Sequence, residues 1–527
     1  MLRDRVITPA AVEDLIADGH IIVIFEDYVL QLDSWLDKHP GGNLAIRHMV
    51  GKDATDEINA YHKPGTLKTM KAFRIGQKPA GIWANKTPPI RGGVFQKQDV
   101  LPSPPRTATP PLDECPEERK KEQEDDFAAK LKAAAYTSWA ETQDVDRDIR
   151  EYPSIDPEVQ QDVVKKYRAL HQRVYDEGFY DCPYLSYGIE MVRYTTLFTC
   201  SMVALRYEWY MTSAFFLGFW WQQIMFTAHD AGHRAITGNF TVDTVIAVFI
   251  ADFCCGLSMG WWKRSHNVHH LITNHPEHDP DIQNLPLFAT SPSFFRGIYS
   301  TFYDFSFAWD KAAEILVPYQ HLTYYPIMGV ARFNLYLLSW LHVFSSKSSS
   351  LGNSKAWWIR PLETAFMTCF WYIFGYLLVW KTLPSWPIRI AFVLVSHIAT
   401  MPLHVQITLS HWGMSTSELG ESESFPQRQL RTTMDVDCPR WLDFFHGGLQ
   451  FQAVHHLFPR VPRHNLRRLQ ALVKEFCKST EIPYTLLGFV DGNVKVLGRL
   501  EEVGEQVAHL VACQKHMART GDSGLLH

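Results

Sequence analysis

Apolar and polar positions divide this chain into unlike stretches. Up to about residue 85 the apolar residues come in short runs. Ala10–Ala17 has a helical repeat, and Ile21–Phe25 and Tyr28–Leu32 have the length and composition of strands. Helical spacing returns over Asn43–Met49 and Asp53–Ala60. Residues 86–125 read as a linker: nine prolines fall between Pro79 and Pro116, then the charge cluster EERKKEQEDD, and such a composition buries no core. Polar helical segments follow at Asp126–Ala140 and Pro157–Glu177, within a region 126–186 expected to lie outside the bilayer. From Tyr187 the apolar runs lengthen. Tyr187–Leu205, Tyr207–Thr227, Leu362–Trp380 and Ile388–Leu409 each approach the ~20 residues that a membrane span needs, with Trp and Tyr near their ends. Residues 297–345 are aromatic-rich but broken by charges, Pro318 and Pro326, which suits interfacial helices, with one spanning pair left open. Past 465 the chain is polar again, a cap over 466–514, and residues 515–527 are expected to be disordered.

Composition adds limits. The mean hydropathy of −0.16 averages polar ends with an apolar middle, so it does not argue against a membrane protein. A net charge of −5 gives no basis for nucleic acid as a partner. Nine cysteines show no CxxC spacing, and no signal peptide opens the chain, so a reduced, cytosol-facing setting is expected.

Candidate chemistry sits on three histidine clusters. WWKRSHNVHHLITNHPEHDPD places His266, His269 and His270 at i, i+3 and i+4, one face of a helix. Gln452, His455 and His456 repeat that spacing in QAVHH, and His229 and His233 stand at i, i+4 in HDAGH. Each buried imidazole needs a partner, so three on one face are hard to explain as packing. Eight donors on three separated helical turns exceed one metal's needs and suit two metals held close together. Imidazole fits zinc, copper, iron or nickel, so residue type alone does not select the metal. His404 and His411, seven apart, share a face near the end of the last apolar run; His411 is favoured as a ninth ligand, and His404 as a supporting residue.

The clusters constrain the topology. Val242–Trp262 is apolar enough to read as a span, but one crossing there would put the first and second clusters on opposite faces. A re-entrant or interfacial segment is therefore expected, in keeping with Asp243 and Asp252 inside it.

In the first 85 residues, WLDKHPGG turns tightly after His39, and His62 follows 23 residues on. Two such histidines suit a flat cofactor clamped from both sides. HPGG, GKDATDEINAYH and the closing FRIG resemble a cytochrome b5 domain. The resemblance implies haem b, with His39 and His62 as axial ligands beside Pro40, Gly41 and Gly42. Residues 26–57 hold seven acids against three bases, a surplus able to steer a basic redox partner.

HDAGH, HNVHH and QAVHH, in this order, resemble the histidine boxes of membrane fatty-acyl and sphingolipid desaturases across about 185–465. Gln452 in the third box, with the fused haem domain, marks the front-end subgroup. HNVHHLITNHPEHDPDIQ and the proline-rich linker are most similar to fungal sphingolipid Δ8 desaturases. The fold so implied is a small α+β domain (1–85) followed by an all-α polytopic membrane desaturase domain (187–465) with a cytosolic cap. The resemblance implies two non-haem irons held by His229, His233, His266, His269, His270, Gln452, His455 and His456, less securely with His411. It further implies O2, NADH–cytochrome b5 reductase as electron donor, a ceramide substrate desaturated at C8–C9, and an endoplasmic reticulum membrane with both redox sites facing the cytosol. His275, His278, Asp279 and Asp281 are expected to orient ligand imidazoles. Trp261, Trp262, Tyr303, Asp304, Tyr319 and Tyr325 are candidates for a head-group site, and the linker is expected to keep haem and irons apart. Three rivals stay open: a Δ5/Δ6-type acyl desaturase, a lipid hydroxylase, and a membrane-anchored haem carrier without catalysis.

Overall fold

The computed structural model describes residues 5–97, 135–345 and 356–520. In the first segment α1 (Pro9–Ala17), capped by Thr8 Oγ1 on the Ala11 amide, leads into an antiparallel sheet of β1 (Ile22–Phe25), β2 (Tyr28–Gln31) and β3 (Arg74–Gln77). Strand alternation splits β1 between two cores: Ile22 and Ile24 join Val12 and Ile16, while Val23 and Phe25 join Leu32, Leu36 and Ile46. α2 (Asn43–Arg47), α3 (Thr55–Tyr61) and α4 (Pro64–Met70) lie between β2 and β3 in sequence. The domain runs past residue 85. Trp83 Nε1 and the Lys86 amide both donate to the Gly51 carbonyl, at 3.0 and 3.2 Å, and Phe95 packs into the core. Residues 86–97 are thus part of the fold rather than linker; the rest of the expected linker lies outside the described residues.

A helix α5 over 135–151 extends beyond the expected end at Ala140, because its buried Asp144 and Asp148 pair with Arg499 and Arg431. After it come α6 (Pro157–Asp176), α7 (Tyr184–Arg206), α8 (Tyr210–Gly232), α9 (Phe240–Val248) and α10 (Met259–Leu271). β4 (Ile298–Ser300) and β5 (Phe305–Phe307) form a hairpin ahead of α11 (Lys311–Leu316) and α12 (Gln320–Phe344). Then follow α13 (Ile359–Phe370), which continues as a π-helix to Thr382, α14 (Trp386–Ile398) and α15 (Met401–Leu409). The cap holds α16 (Phe425–Thr432), β6 (Asp435–Asp437), α17 (Asp443–His446), α18 (Gln452–Leu457), α19 (Arg463–Thr480), β7 (Leu486–Gly488) and α20 (Phe489–Thr520); β6 pairs with β7 in parallel. Helix α20 thus covers 515–520, which the sequence pattern leaves as tail; 521–527 lie outside the described residues.

By length and composition three stretches among the described residues suffice to cross a membrane: Lys311–Phe344, Ile359–Thr382 and Trp386–Leu409. α7 and α8, at 23 residues each, reach about 35 Å, long enough for a span. Buried polar residues lower their hydropathy: Glu190 meets Arg463, and Gln222 donates to the Phe445 carbonyl. Outward residues such as Leu185, Ile189, Val192 and Phe215 are apolar and exposed.

The bent pair after α8 fits the expected re-entrant segment. Phe240–Cys254 covers about 22 Å, short of the ~30 Å hydrocarbon core, and Met259–Leu271 turns back at 116°. The second and third histidine clusters meet, so an even number of crossings separates them, yet three stretches qualify. α12 is the one that lies along the bundle. Near its start Gln320 Nε2 donates to the Leu500 carbonyl of the cap, and near its end Ser339 Oγ accepts from the Ser258 amide beside α10. Pro318 and Pro326 therefore do not mark separate interfacial helices; one long helix does that work.

Candidate metal and haem centres

The last turn of α8 presents His229 and His233, α10 presents His266, His269 and His270, α18 presents His455 and His456, and the exit of α15 presents His411. The structure gathers all eight. Ring centroids lie 4.7 Å apart for His229–His455, 4.9 Å for His233–His266 and 4.6 Å for His269–His411. They fall into two sets. Ring nitrogens of His229, His233, His266 and His455 lie within 4.8 Å of one another, and so do those of His269, His411 and His456. His270 stands between the sets, its Nε2 2.9 Å from His266 Nε2 and its ring stacked on His456 at 4.0 Å. Two nitrogens bound cis to one ion at about 2.1 Å stand roughly 3 Å apart, so that close pair fits a shared metal.

The hydrogen-bonding pattern supports metal binding independently. His229 Nε2, His233 Nε2, His411 Nδ1, His455 Nε2 and His456 Nε2 are buried without a hydrogen-bond partner. One such nitrogen is a cost; five converging on two points are lone pairs aimed at ligands. Gln452 is buried at the first position of α18, one turn before His455 and His456, and its amide has no hydrogen-bond partner among the described residues.

A surrounding layer fixes ring orientation. His269 Nδ1 donates to Asp279 Oδ2 at 2.8 Å, with Asp281 at 3.7 Å, and His456 Nδ1 donates to Gln429 Oε1 at 2.9 Å. Each bond leaves Nε2 free to face a metal. His269, Asp279 and Asp281 are themselves close enough to hold an ion, but Asp279 is already committed to the Asn274 and Asp281 amides. His275 and His278 play no such part. They stack on each other at 4.0 Å, and His275 pairs with Glu418 while His278 meets Thr301. His404 Nδ1 donates to the Met328 carbonyl of α12, a bond between helices. Gln429 stands in no motif and is invisible to pattern reading.

Three of the expected head-group residues have these surroundings. Trp262 stacks on His266 at 4.3 Å, Tyr325 donates to Asn493 of α20, and Tyr319 is exposed. Spacing cannot tell an aromatic that lines a site from one that anchors a helix.

In the N-terminal domain the rings of His39 and His62 face each other with centroids 6.0 Å apart. Bonds of about 2 Å from two imidazoles to one metal between them place the centroids roughly 6 Å apart. His39 Nδ1 donates to the Gly42 carbonyl at 2.8 Å and His62 Nδ1 to the Ile58 carbonyl at 2.9 Å, so both Nε2 atoms are left to bind. Leu32, Leu36, Ile46, Ile58, Leu67, Met70 and Phe73 supply apolar walls. The residues fit a bis-histidine haem.

The two centres adjoin. α10 carries the candidate metal-binding histidines on one side and receives the N-terminal domain on the other. Asn267 Nδ2 donates to the Gly41 carbonyl at 3.0 Å, Val268 packs with Leu44, and Leu271 and Ile272 complete the wall containing Leu36 and Ile46. The ring of Tyr61 meets that of His270 at 6.1 Å. Lys52 pairs with Glu421 and Arg91 with Glu418, at 2.9 Å each. Separation by a linker is therefore corrected: burial of this seam outweighs chain length. The acidic surplus is partly spent here too. Asp56 is buried, pairs with Arg168 at 2.7 Å, and burial pushes its carboxyl up to about 6 against that cation. It does not form part of an exposed docking face.

A haem-type clamp fused to a paired histidine centre on a helical, membrane-crossing scaffold defines an oxidoreductase that acts on lipid. The comparisons agree. Residues 208–488 match the fatty acid desaturase model, and residues 8–78 match the cytochrome b5-like haem/steroid-binding domain. The chain is 48% identical to a "Delta 8-(E)-sphingolipid desaturase" of Emericella nidulans, over 98% of each chain. It is 45% identical to one of Kluyveromyces lactis over 99% of this chain and 97% of that one. A "Delta(8)-fatty-acid desaturase" of Helianthus annuus is 31% identical over 92% and 88%. The chain belongs to the fatty acid desaturase family, with a cytochrome b5-like domain at its N-terminal end.

Proposed function

We propose that this protein desaturates C8–C9 of the long-chain base of ceramide, giving the trans product, in the endoplasmic reticulum membrane. The observation that carries this reading is whole-length identity of 42–48% to five fungal desaturases of that name, with the histidine clusters brought together as described. The overall reaction is –CH2–CH2– + O2 + 2 e− + 2 H+ → –CH=CH– + 2 H2O.

Two irons suit the two histidine sets, and when bound they supply the oxygen-dependent oxidation that an unactivated methylene requires. The candidate ligands are His229, His233, His266 and His455 for one, and His269, His411 and His456 for the other, with His270 between and Gln452 beside them. Asp279 and Gln429 hold His269 and His456 in the tautomer that leaves Nε2 to the metal. Electrons come from NADH through a cytochrome b5 reductase and cross the seam along α10. Both centres lie on one side of the bundle, so they face one compartment, which in this reading is the cytosol.

The test is expression in a yeast lacking Δ8-unsaturated sphingolipids, followed by mass spectrometry of long-chain bases and total fatty acids. New trans-Δ8 bases with unchanged fatty acids are expected. New polyunsaturated acids with unchanged bases would move the protein to the acyl reading.

A further inference from the structure

Three cations stand at the seam beside the axial histidines without an ion-pair or hydrogen-bond partner among the described residues: Lys63, Arg234 and Lys263. Lys263 and Asn267 are one turn apart on α10, so they share the face that meets the HPGG turn through the Asn267–Gly41 bond. Lys263 also lines one cavity with Pro40, which follows His39, and with Phe240. The guanidinium of Arg234 lies 4.7 Å from the Phe240 ring, and Arg234 holds a left-handed backbone, φ 59°, at the end of the first histidine pair. Lys63, next to His62, brings its ammonium against Gly238 in the loop that begins at Arg234: a Cβ on Gly238 would fall within 1.5 Å of it. Asp243 is near, but its two oxygens accept from the Thr237 amide and hydroxyl and the Gly238 amide.

Arg234 and Lys263 are half-buried, and half-buried cations without a counter-charge are costly, whereas Lys63 is exposed at the edge of the pair. A haem clamped between His39 and His62 carries two carboxylates at its rim. We propose that the desaturase domain completes the haem site, with Arg234 and Lys263 binding the haem propionates and Lys63 adding a third cation. The inference rests on haem b occupying the N-terminal domain. It makes the haem shared between two domains, so that the cofactor itself helps to dock one on the other.

The experiment uses the full-length protein in detergent, loaded with haem b or with its dimethyl ester, whose propionates carry no charge. Haem loss is followed by decay of the bis-histidine absorption in the presence of excess apomyoglobin. Arg234→Gln/Lys263→Met should lose haem b several-fold faster than wild type. Wild type should lose the ester at that faster rate, and the double variant should lose the ester no faster still. Arg234→Lys, which keeps the charge, should restore slow loss and guards against a folding defect. Removing the cations should also lower the haem midpoint potential, since they oppose the additional positive charge of ferric iron. Equal loss of haem b from variant and wild type overturns the proposal, and so does an ester effect of undiminished size in the variant. That second outcome assigns the cations to another anion, such as a lipid headgroup. A full-length protein that takes up no haem overturns the underlying reading instead.

Discussion

The ring of Tyr61 meets that of His270 edge-on, with centroids 6.1 Å apart, and Tyr61 is the chain neighbour of His62. One aromatic side chain thus joins a candidate axial histidine to a candidate metal-binding histidine, and its buried hydroxyl has no hydrogen-bond partner. Tyr61→Leu is expected to slow reoxidation of the reduced haem several-fold in a single turnover with O2 and substrate. Tyr61→Phe, which keeps the ring, should stay near wild type, and both should keep the bis-histidine spectrum. Unchanged reoxidation in Tyr61→Leu would remove Tyr61 from the electron route.

Ring orientation is the next target. Asp279→Ala and Gln429→Leu each remove an acceptor from the far nitrogen of a candidate ligand. Each should cost about 10–100-fold in activity or metal affinity, the usual effect of losing such a partner. Measuring turnover and bound iron together checks this; a variant with full values of both would show that its ligand ring is held by packing alone.

Arg463 ties the cap to the membrane helices. It is buried and pairs with Glu190 of α7 and Asp230 of α8, between the paired histidines. Arg463→Met leaves two buried carboxylates without their cation and should destabilise the protein by about 3–5 kcal/mol. Arg173 pairs with Glu177 and Glu475 at the surface, where such pairs contribute little, so Arg173→Ala should leave the thermal midpoint nearly unchanged. Equal midpoints for the two variants would contradict the buried network.

Membrane sidedness offers a test free of chemistry. If α12 lies along the bundle, a protease site placed between Ser345 and Ala356 is cut from the same side as one placed before α1. A site in the turn after Thr382, or at Tyr207–Trp209, should be cut only from the other side. Cleavage of the 345–356 site from the opposite side would mean that α12 crosses, and the parity argument would fail.

What the sequence made legible follows a physical boundary. The histidine spacing needs only one turn of helix to bring His266, His269 and His270 onto one face, so local geometry carries it. The re-entrant turn was readable because two clusters that share a centre restrict the crossings between them. Docking of the haem domain was not readable. It depends on pairs such as Gly41 with Asn267 and Asn85 with Glu421, separated by 226 and 336 residues and marked by no periodicity. Gln429 was hidden for the same reason: a lone polar residue in a short amphipathic helix looks like any other.

The central claim is a two-metal centre beside a haem, and the ratio of non-haem iron to haem in the purified, detergent-solubilised protein tests it most directly. The account predicts about two non-haem irons per haem, with His266→Ala and His411→Ala each reducing that ratio while the haem absorption persists. A ratio near zero, or one left unchanged by both substitutions, would contradict it.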